Sequence, residues 1–101
     1  MRDFTVVNDG MIRFWLVKYG HDIESFPQIE IDIMKSLIID GPQQRNDIAK
    51  TINKPLTTTY DHLVKLMNID WVSKYSKPTG KRGHPPVFYK SNINRHGDVN
   101  G

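Results

Sequence analysis

Residues 56–77 read LTTTYDHLVKLMNIDWVSKYSK, and the repeat of their apolar residues changes partway along. Up to Asn68 the apolar residues recur with the 3.6-residue period of a helix. They form an inner side made of Leu56, Tyr60, Leu63, Val64 and Met67, with Leu66 at its edge. From Trp71 to Lys77 apolar and polar residues alternate, as they do in a half-buried strand. The stretch therefore predicts a helix over 56–68 followed by a strand.

Two further helices are predicted upstream of residue 56. The first follows Ser25-Phe26-Pro27-Gln28, which has the Ser-x-x-Gln form of a capping box, and it ends at Asp40-Gly41-Pro42. The second is short, about 44–53, and a three-residue break at 53–55 separates it from the helix over 56–68.

The first of these helices carries more apolar surface than one buried face needs. Its apolar residues span roughly 200° of the helix surface. The extra stripe consists of Ile31, Met34 and Ile38. We expect either the N-terminal segment or a second copy of the chain to cover this stripe, and its width favours a homodimer.

The two ends of the chain are less regular. Asp9-Gly10 lies between runs of β-branched and aromatic residues, which favours a β-hairpin within 1–25 over the alternative, a short helix capped by Asp9 and stopped by Gly20. Downstream, Val87–Lys90 predicts a second strand, joined to the first by a loop rich in glycine and proline. Residues 91–101 are predicted to be a frayed, flexible tail.

Composition excludes several classes of protein. A chain of 101 residues without cysteine fits one domain and has no disulfide framework, thiolate zinc site or cysteine nucleophile. The four histidines are scattered without metal-ligand spacing, so we expect no catalytic residues, no metal and no cofactor. The longest apolar run, Phe14 to Val17, is far below the roughly 18–20 residues needed to span a bilayer. We therefore expect a soluble, cytoplasmic protein that is not an enzyme.

Charge is divided unevenly along the chain. Residues 1–53 hold six basic and eight acidic side chains, whereas residues 54–101 hold eight basic and three acidic ones. Between Trp71 and Gly97 there are six basic side chains and no acidic one. Such one-sided charge indicates a polyanionic partner, and it favours nucleic acid over a membrane surface. The alternative is that these charges only keep the protein soluble.

The order of the predicted elements, two helices joined by a tight turn and then a hairpin, is that of a winged helix-turn-helix. Three segments resemble prokaryotic and viral regulators of the MarR, ArsR and PadR type: DGPQQRNDIAK at 40–50, TTTYDHLVKL at 57–66 with DWV at 70–72, and KRGHPPVFY at 81–89. The resemblance covers about 26–90. It departs at His84, where arginine is usual, and at Asp70, where glycine is usual.

The resemblance implies an α+β fold of three helices and a C-terminal hairpin wing. It also implies that the protein acts in a prokaryotic cell or, if it is viral, in the cytoplasm of the host. The helix over 56–68 would lie in the major groove of double-stranded DNA, where hydroxyl, imidazole, ammonium and carboxylate groups contact base edges or phosphates. Its outward candidates are Thr57, Thr58, Asp61, His62 and Lys65. Two alternatives stay open: a threonine here can be a helix cap, and Asp61 can either accept from cytosine or screen Lys65.

Two other groups are candidates for phosphate or minor-groove contacts. The basic loop over 77–86 contributes Lys77, Lys81, Arg82 and His84, with a solvated loop as the alternative. The start of the short helix contributes Gln43, Gln44 and Arg45. The aromatic residues of the two strands, Trp71, Tyr75, Phe88 and Tyr89, are predicted to be buried.

Two functions are consistent with these patterns. The first is a sequence-specific, double-stranded DNA-binding transcription regulator that acts as a homodimer. The second is a winged-helix module for protein–protein contact within a transcription or replication assembly.

Overall fold

The computed structural model describes residues 7–78, 80 and 82–99. These residues form an α+β fold with four α-helices and one two-stranded antiparallel hairpin. The elements are α1 (Asp9–Lys18), a 3₁₀ turn (Ile23–Ser25), α2 (Gln28–Asp40), α3 (Arg45–Ile52), α4 (Leu56–Asn68), β1 (Val72–Ser76) and β2 (Val87–Ser91). Among the described residues, none of the helices has the length and apolar character to cross a membrane.

The N-terminal segment is a helix, so the predicted N-terminal hairpin is wrong. Asp9 and Gly10 open α1 instead of forming a turn, and the side chain of Asn8 caps it by accepting from the Met11 amide at 2.9 Å. The buried residues Ile12, Trp15 and Leu16 follow helical spacing. Burial of this stripe outweighs the strand preference of the local residues. Residues 4–6, part of the other predicted strand, lie outside the described residues.

Helix α1 covers the apolar stripe of α2. Ile31 and Met34 are buried in the same cluster as Ile12, Trp15 and Leu16 of α1. Of the two expected alternatives, it is therefore the N-terminal segment that covers the apolar stripe of α2. The stripe no longer argues for a second copy of the chain.

The predicted capping box does not form at the start of α2. Pro27 occupies the N-cap position without a side-chain bond, and the Ser25 hydroxyl donates instead to the Asp22 carbonyl. The Gln28 amide donates to carboxylates of Asp9 and Asp32, at 2.7 and 3.0 Å. Gln28 therefore connects α2 to α1 rather than capping its own helix.

Helix α4 has the predicted limits but a different buried side. Its fully buried residues are Thr59, Leu63 and Leu66, whereas Leu56 is exposed. At 100° per residue the buried side lies about 80° away from the predicted one. A threonine can occupy the centre because its hydroxyl donates to the Pro55 carbonyl at 2.9 Å.

The hairpin is attached to the turn between α2 and α3. Gln43 and Tyr89 exchange two backbone hydrogen bonds, of 3.0 and 2.7 Å. Trp71 and Tyr89 are buried as predicted. The predicted burial of Tyr75 is wrong, because Tyr75 is exposed. Phe88 is half-buried, and neither ring belongs to the core cluster of the described residues.

Residues 91–99 are packed, in contrast to the frayed tail expected from the sequence. Ile93 is buried and forms a bridge with Val99. The Tyr19 hydroxyl donates to the Gly97 carbonyl at 2.5 Å, and Gly97 lies against the ring of Trp15. One buried isoleucine and one close-packed glycine thus hold the segment on α1.

Candidate nucleic-acid interface

A cleft of about 340 Å³ lies where the start of α3, the middle of α4 and the hairpin meet. We call it the three-element cleft. Its polar walls are formed by Gln44, Arg45, Asn46, Tyr60, Lys74 and Tyr89. No carboxylate is among the residues that line it within the described chain. Two cations and no acid make the cleft a place where an anion is attracted.

Arg45 is held in the cleft by an aromatic ring. Its guanidinium carbon lies 5.2 Å from the centroid of the Tyr60 ring, within the range of a cation–π contact. A guanidinium oriented in this way still presents N–H groups that can bind phosphate in a bidentate manner.

The floor of the cleft includes a buried phenol. Burial raises the pKa of Tyr89, and the nearby Arg45 partly opposes that rise. The hydroxyl is therefore a neutral O–H group at neutral pH. Lys74 is the direct cross-strand partner of Tyr89, and both side chains line the cleft.

The start of α3 opens into the cleft only in part. Gln44 is the N-cap residue and makes no side-chain cap bond, and the Asp47 amide of the first turn donates to the Gln44 carbonyl at 3.0 Å. Gln43 does not share this surface. Its amide donates inward to the Ser36 hydroxyl at 3.0 Å, so the structure assigns it a structural position instead.

Helix α4 presents three of the five predicted residues to solvent. Thr57, Asp61 and Lys65 are exposed and recur every four residues, so they line one side of the helix. Thr58 is half-buried.

His62 faces inward, so its predicted outward position is wrong. Its Nδ1 lies 2.6 Å from Oε2 of Glu30 on α2, and the Glu30 side chain is only 5% exposed. The buried side of α4 differs from the predicted one by including Thr59 and Leu66, and this orientation of the helix also places His62 against α2.

The loop between the strands carries the remaining candidates. Lys77, Arg82 and His84 are exposed, whereas Lys81 lies outside the described residues. The predicted residues that stay available for an interface are Gln44, Arg45, Thr57, Asp61, Lys65, Lys77, Arg82 and His84, whereas Gln43 and His62 are turned inward.

Three polar residues of the cleft besides Tyr89 were not predicted as site residues. Tyr60 belonged to the predicted inner side of its helix, and Lys74 was only one member of a basic stretch. Asn46 follows Arg45 at the start of a helix, which is the one local signal that could have included it.

Comparison of this chain with protein-family models, with curated proteins and with solved structures gives no match. The chemistry of the three-element cleft is therefore inferred from its own residues and geometry.

Proposed function

We propose that this protein is a sequence-specific, double-stranded DNA-binding transcription regulator of the winged helix-turn-helix type. The observation that carries the proposal is the three-element cleft, where two cations from separate elements converge without an acid. In this proposal α3 and α4 form the helix-turn-helix, and the hairpin is the wing. The cleft then lies between the recognition helix and the wing, where a DNA backbone would pass.

Arg45 and Lys74 would bind one phosphate together. Arg45 supplies planar donors oriented by Tyr60, and Lys74 supplies a point charge from the wing. Phosphate contacts fix the register of the protein on the duplex but carry no sequence information.

Sequence would be read by the exposed side of α4. The hydroxyl of Thr57, the carboxylate of Asp61 and the ammonium of Lys65 differ in what they accept from a base edge or donate to it. Asp61 suits the exocyclic amine of cytosine, and Lys65 suits the acceptors of guanine. Arg82, in the wing, would reach the backbone or the minor groove.

A homodimer is part of the same proposal, with a surface different from the stripe expected from the sequence. Phe14 and Val17 are 65% and 56% exposed and lie one turn apart on α1, which packs against α2. A twofold dimer through α1 would present two copies of α4 to half-sites about one helical turn apart.

The same two side chains favour the second candidate, a winged-helix module for protein–protein contact. In that case α1 would bind a partner protein through Phe14 and Val17, and duplex DNA would not be recognised.

Selection of binding sites from random duplex DNA tests the first proposal. We expect one enriched motif, with an inverted repeat if the protein dimerises. Absence of any enriched motif at low salt would contradict the proposal and favour the protein–protein module.

Variants that each remove one positive charge then test the cleft. Arg45→Gln and Lys74→Gln should each weaken binding to all duplexes by similar factors and flatten the slope of log affinity against log salt by about 0.9. Lys18→Gln on α1 is the matched control and should leave both unchanged. Lys65→Ala should instead change the preferred sequence, at about 1–3 kcal/mol for the lost base contact. Equal effects of the Lys18 and Lys74 variants would show that only total charge matters.

A further inference from the structure

The outer face of the hairpin carries an aromatic pair that the core does not use. Tyr75 and Phe88 are directly opposite each other on the two strands, with ring centroids 5.8 Å apart and planes inclined by 21°. Tyr75 is 39% exposed. Among the described residues, neither ring belongs to the core cluster or to the side chains packed against it. The two rings therefore stack on each other, with Tyr75 exposed and Phe88 half-buried.

This face is distinct from the one that lines the three-element cleft. Successive side chains of a strand point to opposite faces of a sheet. Lys74 and its cross-strand partner Tyr89 face the cleft, so Tyr75 and Phe88 face away from it. A ligand on the outer face would not compete with one in the cleft.

Lysines flank the aromatic pair on both sides. Lys90 follows Phe88 by two residues in β2 and lies on the same face. Lys77 follows Tyr75 by two residues, just past the end of β1, where its amide donates to the Pro86 carbonyl at 3.1 Å, and both lysines are exposed. The sequence between Trp71 and Gly97, which includes the whole hairpin, contains no acidic residue. A cross-strand aromatic pair alone would strengthen the hairpin, but that role does not call for lysines on either side.

We propose that this outer face binds an unpaired segment of nucleic acid. One base packs on the exposed part of the Tyr75 ring, and Lys77 and Lys90 bind the phosphates that flank it. Planar rings between cations suit a single strand, whose bases expose their faces, whereas bases in a duplex are stacked on one another. The inference goes beyond the proposed duplex binding and does not depend on it.

Fluorescence anisotropy with labelled dT12, rU12 and a 12-base-pair duplex tests the inference. Tyr75→Leu keeps an apolar side chain but removes the ring, and we expect about 5- to 150-fold weaker binding of the single strands. Tyr75→Phe keeps the ring and should bind single strands as tightly as the unchanged protein. Duplex affinity should be the same in all three proteins. The ratio of dT12 to rU12 affinity identifies DNA or RNA as the preferred source of the strand.

A second variant avoids any change in the packing of the hairpin. Lys90→Gln should weaken single-strand binding and flatten its salt slope by about 0.7, with duplex affinity unchanged. If Tyr75→Leu fails to fold, this variant decides the result.

The two proposals can fail separately. Arg45→Gln should weaken duplex binding and leave single-strand binding intact. The inference is overturned if dT12 and rU12 do not bind. It is also overturned if Tyr75→Leu or the lysine variant weakens single-strand and duplex binding equally, or weakens neither. A third contrary result is that Tyr75→Leu abolishes self-association in sedimentation while single-strand affinity stays the same.

Discussion

Replacing His62 by alanine should destabilise the fold rather than change which DNA sequence is bound. In the structure Nδ1 of His62 is 2.6 Å from Oε2 of Glu30, and these side chains are 18% and 5% exposed. The variant removes the imidazole and leaves the Glu30 carboxylate between α2 and α4 without this partner. A buried polar group that loses its hydrogen-bond partner retains the full cost of its desolvation.

The expected loss follows from the burial of the pair. Leaving a buried polar group without its hydrogen-bond partner costs about 1–3 kcal/mol, and more where the group is charged. Because nearly a fifth of the His62 side chain is exposed, water can reach the vacated space, and we expect about 2–3 kcal/mol. For a domain of this size that corresponds to a fall in Tm of about 8–24 °C.

Urea denaturation at pH 7, followed by the fluorescence of the buried Trp15 and Trp71, measures this loss. Glu30→Leu combined with His62→Leu is the control: replacing both polar partners by apolar groups should recover most of the stability. The reasoning is refuted if His62→Ala stays within about 0.5 kcal/mol of the unchanged protein, the scatter of ordinary surface substitutions. A change in the preferred DNA sequence of the folded variant would also refute it.

Two further predictions concern α1 and its contacts. Gly97→Ala should lower the free energy of unfolding by about 1–3 kcal/mol in thermal melts, because Gly97 has a φ of +82° and a Cβ there would collide with the Trp15 ring; Gly80→Ala, also at positive φ but in open space, is the control. Hydrogen bonds from Lys35 first and Gln28 second hold the pKa of Asp9 below its ordinary 3.8, so this carboxylate stabilises the fold above that pH and loses its contribution as pH falls through the lowered pKa. Both members of the Asp9–Lys35 pair are more than a third exposed, so Asp9→Asn should lower the free energy of unfolding by under about 1 kcal/mol at pH 7. The difference in unfolding free energy between the variant and the unchanged protein should shrink below pH 3.8. A constant difference down to pH 2 would contradict the assignment.

The sequence predicts best those elements whose limits depend on neighbouring residues. Pro55 fixes the start of α4, and the change of period after Asn68 fixes its end and the start of the hairpin. The same local reasoning fails at α1, where Ile, Phe, Trp and Val favour a strand. That segment is helical because Trp15 and Leu16 are buried against α2 and the C-terminal segment, and such distant contacts leave no local signal.

The candidate interface was predictable where position along a helix was enough. Arg45 follows from its place at the start of α3, and Lys65 from its place on α4. Tyr60 and Lys74 meet only because the hairpin folds back beside α4, which no local spacing indicates. The predicted position of His62 is wrong because the apolar residues Tyr60 and Val64 were assigned to the buried side of α4. The centre of the buried side is instead Thr59, whose hydroxyl is hydrogen-bonded.

The contact of Gly97 with Trp15 also bears on the order in which the chain folds during synthesis. A ribosome makes α1 before α2 and the hairpin, whereas the residues that cover Trp15 and bind the Tyr19 hydroxyl are made only after the hairpin. Until residue 97 has left the exit tunnel, one side of α1 has no cover, although α2 is already available on the other. Such late, long-range closure slows folding and leaves apolar surface open to chaperones or to neighbouring nascent chains. A nascent chain released before residue 97 would therefore expose the Trp15 ring and be the form most prone to aggregate.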